Sequence, residues 1–283
     1  MSGPPTGPGS PVVAPHRATD RAELLALYGR DREAHPYGIA DLEQLWGVSR
    51  WWRRDVAVVG VLELPGSPLT VGYAIAARRP EATLELLGDL ATHDLLPPRF
   101  VITGPPGTAD HLLPRYESRR TSPYLKLALP ASAPPIPPDR EARRLGIDDL
   151  PALYRLYATD PSAGEFFHPG LLDTGCYLGI EVAGELVAAA GVHVLDRVNG
   201  VAAIGNVVTA PTQRGQGLAR RVAGALCHEL RSQVATIGLN VAPDNQAARR
   251  LYRRLGFVEV LRFEEAELTL RDRKPLQHHD RAT

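Results

Sequence analysis

The sequence predicts a mixed α/β fold made of two consecutive α/β domains. Three observations lead to this prediction. Apolar runs with strand periodicity alternate with amphipathic helical runs along both halves of the chain. A proline-rich stretch at residues 130–138 divides the chain near its midpoint. In the second half, an almost uninterrupted apolar run leads into a glycine-containing turn and a helical pattern, which is typical of a central strand followed by a helix.

Composition sets the expected domain boundaries. Residues 1–18 form a Gly/Pro-rich tail that buries too little apolar surface to order itself, so we expect it to be disordered. Proline has no amide donor and a fixed φ, so residues 130–138 are expected to be an extended linker. The first α/β domain then spans residues 19–129 and the second spans residues 139–270. Residues 271–283 are expected to be a solvated tail.

The overall composition excludes several functional classes. Of the 283 residues, 44% are hydrophobic and 23% are charged, which is the composition of a globular protein. A formal net charge of zero disfavours nucleic acid or an anionic membrane as a partner. Cys176 and Cys227 are too few for a disulfide framework or a zinc cluster. Because no apolar run reaches the ~18 residues of a membrane span and no secretory signal pattern is present, we expect a cytoplasmic protein without a metal, either a monomer or a homodimer.

Hydrophobic periodicity predicts the elements of the first half. The predicted helices cover residues 19–32, 39–46, 81–96 and 108–116. The predicted strands cover residues 56–64, 69–77, 100–103 and 124–129, with a hairpin turn at residues 65–68. This order is similar to that of the second half, with one strand fewer and no glycine loop. We therefore expect the first half to be a diverged copy of the second.

The second half shows a clearer pattern. The predicted strands cover residues 177–182, 186–195, 201–209 and 235–241, with further strands within residues 257–270. The predicted helices cover residues 148–157, 218–230 and 245–255. Gly256 follows the last helix, at the position where glycine commonly ends a helix. The strand at residues 201–209 is almost wholly apolar, so we expect it at the centre of the sheet.

The turn after that central strand is the segment that predicts chemistry. Pro211 ends the strand ladder, and Gly215 and Gly217 permit a tight turn into a helix that starts near Leu218. Because glycine has no Cβ, backbone amides in such a turn can approach a ligand closely. The first helical turn adds unpaired amides and the positive end of the helix dipole. Together these features predict a site for a phosphate or a diphosphate.

Two sequence blocks distinguish this turn from other glycine loops. It lacks the Gly-Lys-Ser/Thr of a nucleoside-triphosphate loop and the full Gly-x-Gly-x-x-Gly of a dinucleotide site. Arg214, Gly217 and Ala219 instead meet the pattern Gln/Arg-x-x-Gly-x-Gly/Ala, and a second characteristic block follows at residues 239–257. With both blocks at this spacing, residues 141–270 resemble the GNAT superfamily of N-acetyltransferases. The resemblance implies a GNAT fold in the second domain, and we interpret the first as a degenerate GNAT-like domain or a related α/β domain.

The resemblance also implies a reaction and a cofactor. A GNAT enzyme transfers the acetyl group of acetyl-CoA to a primary amine by direct attack, so a small-molecule amine or a peptide is the expected partner. The implied cofactor-binding residues are Val207, Val208, Thr209, Arg214, Gly215, Gln216, Gly217, Leu218, Ala219 and Asn245. The loop amides would hold the CoA diphosphate, and the strand edge at residues 207–209 would bind the pantetheine arm. That edge is available only if its strand splays from the strand at residues 239–241.

The catalytic assignments combine the resemblance with acid–base chemistry. By resemblance, Tyr252 donates a proton to the leaving thiolate, which suits a phenol because its pKa of ~10 lies near that of a thiol. No motif names the base that takes the amine proton. His193, on the strand before the central one, is the candidate, and an ordered water chain, Glu165 and Glu265 are alternatives. Structural roles are also open: a helix N-cap for Asn245, a core position for Tyr252 and a structural hydrogen bond for His193.

Two other functions fit the same sequence. A protein that kept the cofactor site and lost the chemistry would be an acyl-CoA-binding sensor or scaffold. An enzyme of different scope would acylate a protein N-terminus, a lysine or a tRNA-linked group. We expect the first domain to shape the acceptor cleft, and the fold alone does not identify the acceptor.

Overall fold

The computed structural model describes residues 15–64 and 68–271 of the chain. Its strands are β1 (His16–Arg17), β2 (Ser49–Arg54), β3 (Ala57–Glu63), β4 (Thr70–Tyr73), β5 (Arg99–Gly104), β6 (Tyr116–Leu129), β7 (Arg143–Arg144), β8 (Leu178–Val182), β9 (Glu185–Asp196), β10 (Val201–Thr209), β11 (Thr236–Val241) and β12 (Val258–Leu270). Its α-helices are α1 (Arg21–Tyr28), α2 (Pro36–Gln44), α3 (Pro80–Thr92), α4 (Thr108–Leu112), α5 (Leu150–Ala158), α6 (Leu218–Leu230) and α7 (Gln246–Arg254). Short 3-10 helices cover Gly29–Ala34, Trp46–Val48, Ile147–Asp149, Pro161–Gly164, Pro169–Thr174 and Pro211–Gln213.

The strands join one mixed sheet of 12 strands, in the order β1-β2-β3-β4-β5-β12-β6-β11-β10-β9-β8-β7. The pairs β4–β5 and β10–β11 are parallel, and the other neighbours are antiparallel. The mixed α/β fold predicted from the sequence is therefore confirmed. Both halves run through three strands, a helix, a strand, a helix and a last strand. That the first half is a degenerate GNAT-like domain stays a prediction.

The two halves complete each other's part of the sheet. The last strand of the first half, β6, lies between β11 and β12, and its Leu127 pairs with Leu239 of β11. The last strand of the chain, β12, lies between β5 and β6, and its Ala266 pairs with Ile102 of β5. The linker at residues 130–138 thus separates the halves along the chain but not within the sheet. Periodicity could not predict this exchange, because pairing between distant segments has no local signal.

The first strands also differ from the prediction. Residues 16–17, expected in the disordered tail, form β1 and pair with β2, where they cover the edge of the sheet. Periodicity misses β2 because two adjacent tryptophans between arginines hide the alternation, yet Trp51 and Trp52 are both buried. Residues 1–14, 65–67 and 272–283, which include most of the predicted tails and hairpin turn, lie outside the described residues.

Helices cover the two faces of the second half's strands. On one face, Val222 and Leu226 of α6 share a core with Ala202 of β10. On the opposite face, Ile39 of α2 shares a core with Val201 of β10, so a helix of the first half covers the second half's sheet. Among the described helices, none combines the length and apolarity needed to cross a membrane.

The proline-rich linker packs along α6. The carbonyl of Ile136 accepts a hydrogen bond from His228 Nδ1 at 2.8 Å. The carboxylate of Asp139 forms an ion pair with Arg221 at 2.7 Å, and its pKa is lowered chiefly by the hydrogen bonds from that guanidinium. These contacts hold the linker on the helix that follows the glycine turn.

Candidate active site

The centre of the candidate site is a split between two parallel strands. Residues 201–203 of β10 pair with residues 236–238 of β11, and no further pair joins these strands in the described part of the chain. On its other side, β10 stays paired with β9 as far as Thr209 and Ala188. From residue 204 onward, β10 therefore presents an unpaired edge toward β11. This divergence is the condition on which a pantetheine site at the end of β10 depends.

A bulge in β10 lies at the start of this split. Asn206 has a φ of +51°, and the register with β9 shifts between Gly205 and Val208. Asparagine tolerates this left-handed conformation better than most residues. Asn206 Nδ2 donates to the hydroxyl of Tyr177, and the Asn206 carbonyl accepts a hydrogen bond from the Tyr157 hydroxyl at 3.1 Å. Because a bulge bends its strand, these contacts help to fix the direction in which β10 leaves β11.

The turn after β10 leaves its backbone open to solvent. Gly215 and Gly217 have φ values of +82° and +80°, which a residue with a Cβ adopts only with strain. A Cβ placed on either glycine would meet no described atom within 4 Å. Within the described chain, α6 begins at Leu218 with no side-chain cap and no acidic residue in its first turn. The amides of that turn are therefore free to bind an anion.

Side chains around the turn brace it. The Arg214 guanidinium donates to the Thr209 carbonyl at 3.3 Å and to the Asp160 carboxylate at 3.1 Å. Gln216 forms a hydrogen bond within the turn, and Leu218 is buried and anchors the start of α6. These contacts hold the side chains of Arg214 and Gln216 against the turn.

The end of β10 adds one unsatisfied polar atom to the site. Val208 is buried, and Val207 packs on the core beneath α6. The hydroxyl oxygen of Thr209 is buried and has no hydrogen-bond partner among the described residues. A buried polar atom without a partner costs free energy, so a ligand that bonds to it would be stabilised. Cofactor binding by these three residues stays a prediction.

Asn245 has the structural role that the sequence left open. Its Oδ1 accepts a hydrogen bond from the Ala248 amide at 3.0 Å and so caps α7. The residue is exposed, which leaves its Nδ2 available. Contact with a cofactor stays a prediction for Asn245.

Tyr252 lies on α7 with its ring 7% exposed and edge-on to Phe257, at 5.7 Å between ring centroids. Burial is the main cause that raises the pKa of this phenol, and Cys227 on α6 adds to it. Tyr252 is therefore protonated at neutral pH and has a proton to donate.

His193 lies on β9 beside the bulge, with both ring nitrogens engaged. Its Nε2 is 3.0 Å from Asn206 Oδ1, and its Nδ1 is 3.1 Å from the hydroxyl of Tyr37. Burial is the main cause that lowers the pKa of His193, and Lys126 adds to this, while the hydrogen bond to Asn206 opposes it. The imidazole is therefore neutral at neutral pH, as a base needs to be.

Two carboxylates are the alternative bases: Glu265 lies on β12, and Glu165 lies before the 3-10 helix at Pro169–Thr174. Glu265 pairs with Arg120 at 3.5 Å. Burial is the main cause that raises the pKa of Glu265; Arg120 opposes this rise and Glu165 adds to it. The structure thus leaves Glu265 as a second base candidate, near Glu165 but already paired.

Three residues of this region have no signal in the sequence motifs: Tyr37, Asn206 and Lys126. Tyr37 belongs to the first half, and the Lys126 ammonium lies 4.4 Å from the centroid of its ring. Lys126 is 1% exposed, and burial lowers its pKa to about 7, with Asp41 opposing. Only the single lysine within the apolar run at residues 124–129 could have drawn attention before the fold was known.

Comparison with known proteins identifies the family of the second half. Residues 145–257 match the model of a family described as the acetyltransferase (GNAT) family. This range includes the split strands, the glycine turn and Tyr252. The second half is therefore a GNAT domain, which confirms the resemblance in the sequence.

Solved structures show the same fold over most of the chain. A GNAT-family protein from Novosphingobium aromaticivorans DSM 12444 is 22% identical with a TM-score of 0.52, and the match covers 76% of this chain and 89% of that one. A Drosophila protein is 15% identical with a TM-score of 0.63, covering 90% and 98%. A GCN5-related N-acetyltransferase from Kribbella flavida is 17% identical with a TM-score of 0.52, covering 84% and 96%. At these identities the similarity concerns the fold alone.

Proposed function

We propose that this protein transfers the acetyl group of acetyl-CoA to a primary amine by direct attack of the amine on the thioester. One observation carries the proposal: β10 and β11 diverge beside an uncapped helix start. An unpaired strand edge can bind an extended chain of amide groups as an added strand, and the pantetheine arm is such a chain. The free amides at the start of α6 suit the diphosphate at its other end.

Tyr252 is proposed as the acid of the reaction. Acetyl-CoA supplies the acetyl group, a bond forms between the amine nitrogen and the carbonyl carbon, and the bond from carbon to sulfur breaks. The sulfur leaves as a thiolate, which takes the phenolic proton of Tyr252. Burial of the phenol raises its pKa, so the proton stays on oxygen until negative charge develops on sulfur.

The amine is proposed to approach from the face that α2 covers, because α6 and α7 occupy the opposite face. The ring of Phe166, which is 52% exposed, stands edge-on to His193 with centroids 5.9 Å apart. The hydroxyl of Tyr37, a residue of the first half, also contacts His193, at 3.1 Å from Nδ1. The acceptor, a small amine or a peptide amine, would therefore reach the thioester past residues of both halves.

The test is a titration with acetyl-CoA followed by a thiol-release assay. Calorimetry is expected to give one acetyl-CoA per chain, and a panel of small amines and peptides is expected to include some that release CoA thiol. Acetyl-CoA without amine is the control for hydrolysis. Binding without release from any amine would favour the acyl-CoA sensor, and absence of binding would contradict both functions.

A further inference from the structure

The candidate base of the second half is joined to a tyrosine of the first half. Tyr37, at the start of α2, places its hydroxyl 3.1 Å from His193 Nδ1. Both side chains are half-buried, so neither is sealed inside the core. The contact joins residues 156 positions apart in the chain, and it exists only because α2 packs across β9 and β10.

The hydrogen bonds around His193 determine which nitrogen can accept a proton. Asn206 Nδ2 donates to the hydroxyl of Tyr177, which turns Asn206 Oδ1 toward His193 Nε2 at 3.0 Å. An amide oxygen only accepts, so Nε2 carries the hydrogen and Nδ1 carries the lone pair. The Tyr37 hydroxyl is then the donor to Nδ1. The basic nitrogen of His193 is therefore covered by Tyr37 and cannot contact an amine directly.

We propose that Tyr37 carries the proton of the attacking amine to His193, which makes the first half part of the catalytic centre. This inference rests on the proposed acetyl transfer. As the bond between nitrogen and the carbonyl carbon forms, the nitrogen becomes acidic and gives one proton to the Tyr37 oxygen. The phenolic proton of Tyr37 passes at the same time to His193 Nδ1. The products of this step are a neutral Tyr37 and an imidazolium whose Nε2–H still bonds to Asn206.

The surroundings of Tyr37 suit such a relay. Burial is the main cause that raises its pKa, and the smaller contributions come from Asp41, Tyr252 and Glu265. The Lys126 ammonium over the Tyr37 ring favours electron density on the phenol as its proton leaves.

The first test is Tyr37→Phe, which removes the hydroxyl and keeps the ring. We expect kcat to fall about a hundredfold, as for loss of a general base, with the Kd for acetyl-CoA unchanged. Tyr154→Phe is the matched control, because the Tyr154 side chain is 51% exposed on α5 and should leave kcat unchanged. His193→Gln is expected to lower kcat by a similar factor, and the double variant should lose no more than either single one.

The pH profile separates a relay from a structural contact. The titratable groups that bear on His193 are Tyr37 on α2 and Lys126 on β6, and the other contacts, Asn206 and Phe166, do not titrate. Burial lowers the pKa of His193, so the part of the fall in wild-type kcat/KM that comes from His193 protonation is expected at a pH below the usual range of an imidazole. In Tyr37→Phe this part should vanish, because His193 is disconnected from the amine, while the fall caused by protonation of the amine itself remains.

Several results would overturn the relay. Turnover of Tyr37→Phe within threefold of wild type would remove Tyr37 from the mechanism. The same conclusion would follow if the double variant lost kcat by the product of the losses in Tyr37→Phe and His193→Gln. A hundredfold loss in Glu265→Gln with normal turnover in His193→Gln would make Glu265 the base. If the wild-type protein released no thiol with any amine, the proposed acetyl transfer itself would be contradicted. If wild type and Tyr37→Phe were both active, only the relay would be contradicted.

Discussion

The two halves of the molecule share an order of strands and helices. They differ at the connection from β4 to α3 in the first half and from β10 to α6 in the second half. In the second half, β10 and β11 pair over three residues and then diverge. In the first half, β4 and β5 pair from residue 71 to residue 73, and the Ala74 amide continues the ladder to the Thr103 carbonyl at 2.8 Å. The strands of the first half thus stay joined to the end of β4 and one residue beyond, and they leave no open edge there for a ligand.

The helix that follows differs as well. α6 begins after Gly215 and Gly217 with free amides, whereas α3 begins at Pro80, which has no amide to donate. The connection at residues 74–79 contains no glycine, and Ala74 and Ile75 fill the core. The same order of elements therefore does not by itself produce a turn with free amides. The proposed anion site also depends on strands that diverge and on a turn whose backbone is uncovered.

The largest expected effect comes from separating the halves. Leu125, Leu127 and Leu129 of β6 join the core of the second half, and each contributes about 2 kcal/mol by burial. Residues 139–283 alone would lose this strand and expose the edges of β11 and β12. We therefore expect this fragment to aggregate and to show no cooperative thermal unfolding. Co-expression with residues 1–138 should restore a folded complex. A second half that folds alone and binds acetyl-CoA would show that the exchange of strands is dispensable.

A large effect on turnover is expected at the split itself. Tyr252→Phe keeps the ring against Phe257 and removes the proposed proton donor. We expect kcat to fall by at least about a hundredfold, while the Kd for acetyl-CoA measured by calorimetry stays within twofold, because the phenol acts on the leaving sulfur. Unchanged turnover with several amines would remove Tyr252 from the mechanism.

Gly217→Ala removes a glycine from the turn before α6, as in the first half, whose corresponding connection has no glycine. A moderate effect on the affinity for acetyl-CoA is expected. The substitution places a side chain on a residue with φ +80°, within the turn that would receive the diphosphate. We expect the Kd for acetyl-CoA to rise about tenfold, equivalent to about 1.4 kcal/mol. Gly184→Ala is a matched control, since Gly184 has the same φ and the same open surroundings at the turn between β8 and β9. Equal losses of affinity in both variants would mean that strain, not the site, is responsible.

The smallest expected effect concerns the lysine that β6 brings between the halves. Burial lowers the pKa of Lys126 to about 7 in the folded protein, against ~10.4 in the unfolded chain. Between these values the unfolded chain binds more protons, so the cost of burying Lys126 is full below about pH 7 and disappears as the pH rises toward about 10.

Lys126→Met keeps most of the volume and removes this cost. We expect the free energy of unfolding to rise at about pH 8 and to rise far less at about pH 10, where most of the interval between the folded and unfolded pKa values of the lysine has been crossed. The comparison is made above pH 7 because burial raises the pKa of the neighbouring Asp41 to about 7. A stabilisation that stays constant over this range would contradict a buried, titrating lysine.

Sequence periodicity predicted the second half well and the first half less well. The strand Val201–Thr209 and the helix Leu218–Leu230 have the predicted bounds, because long apolar or amphipathic runs between clear breakers leave few alternatives. In the first half, β2 has no readable alternation, and β6 is longer than its apolar part because its polar portion pairs with β12. The glycine turn has the conformation that its local sequence predicts, whereas the roles of its residues and of Tyr252 stay predictions.

The sequence by itself determined the GNAT domain and its glycine turn, because each depends on residues that are neighbours in the chain; the cofactor role of Arg214 to Ala219 stays a prediction. Only the tertiary structure decided which strands exchange between the halves and that Tyr37 meets His193. Such contacts follow from packing of elements far apart in sequence, and packing is set by the shapes of whole faces that no short motif encodes.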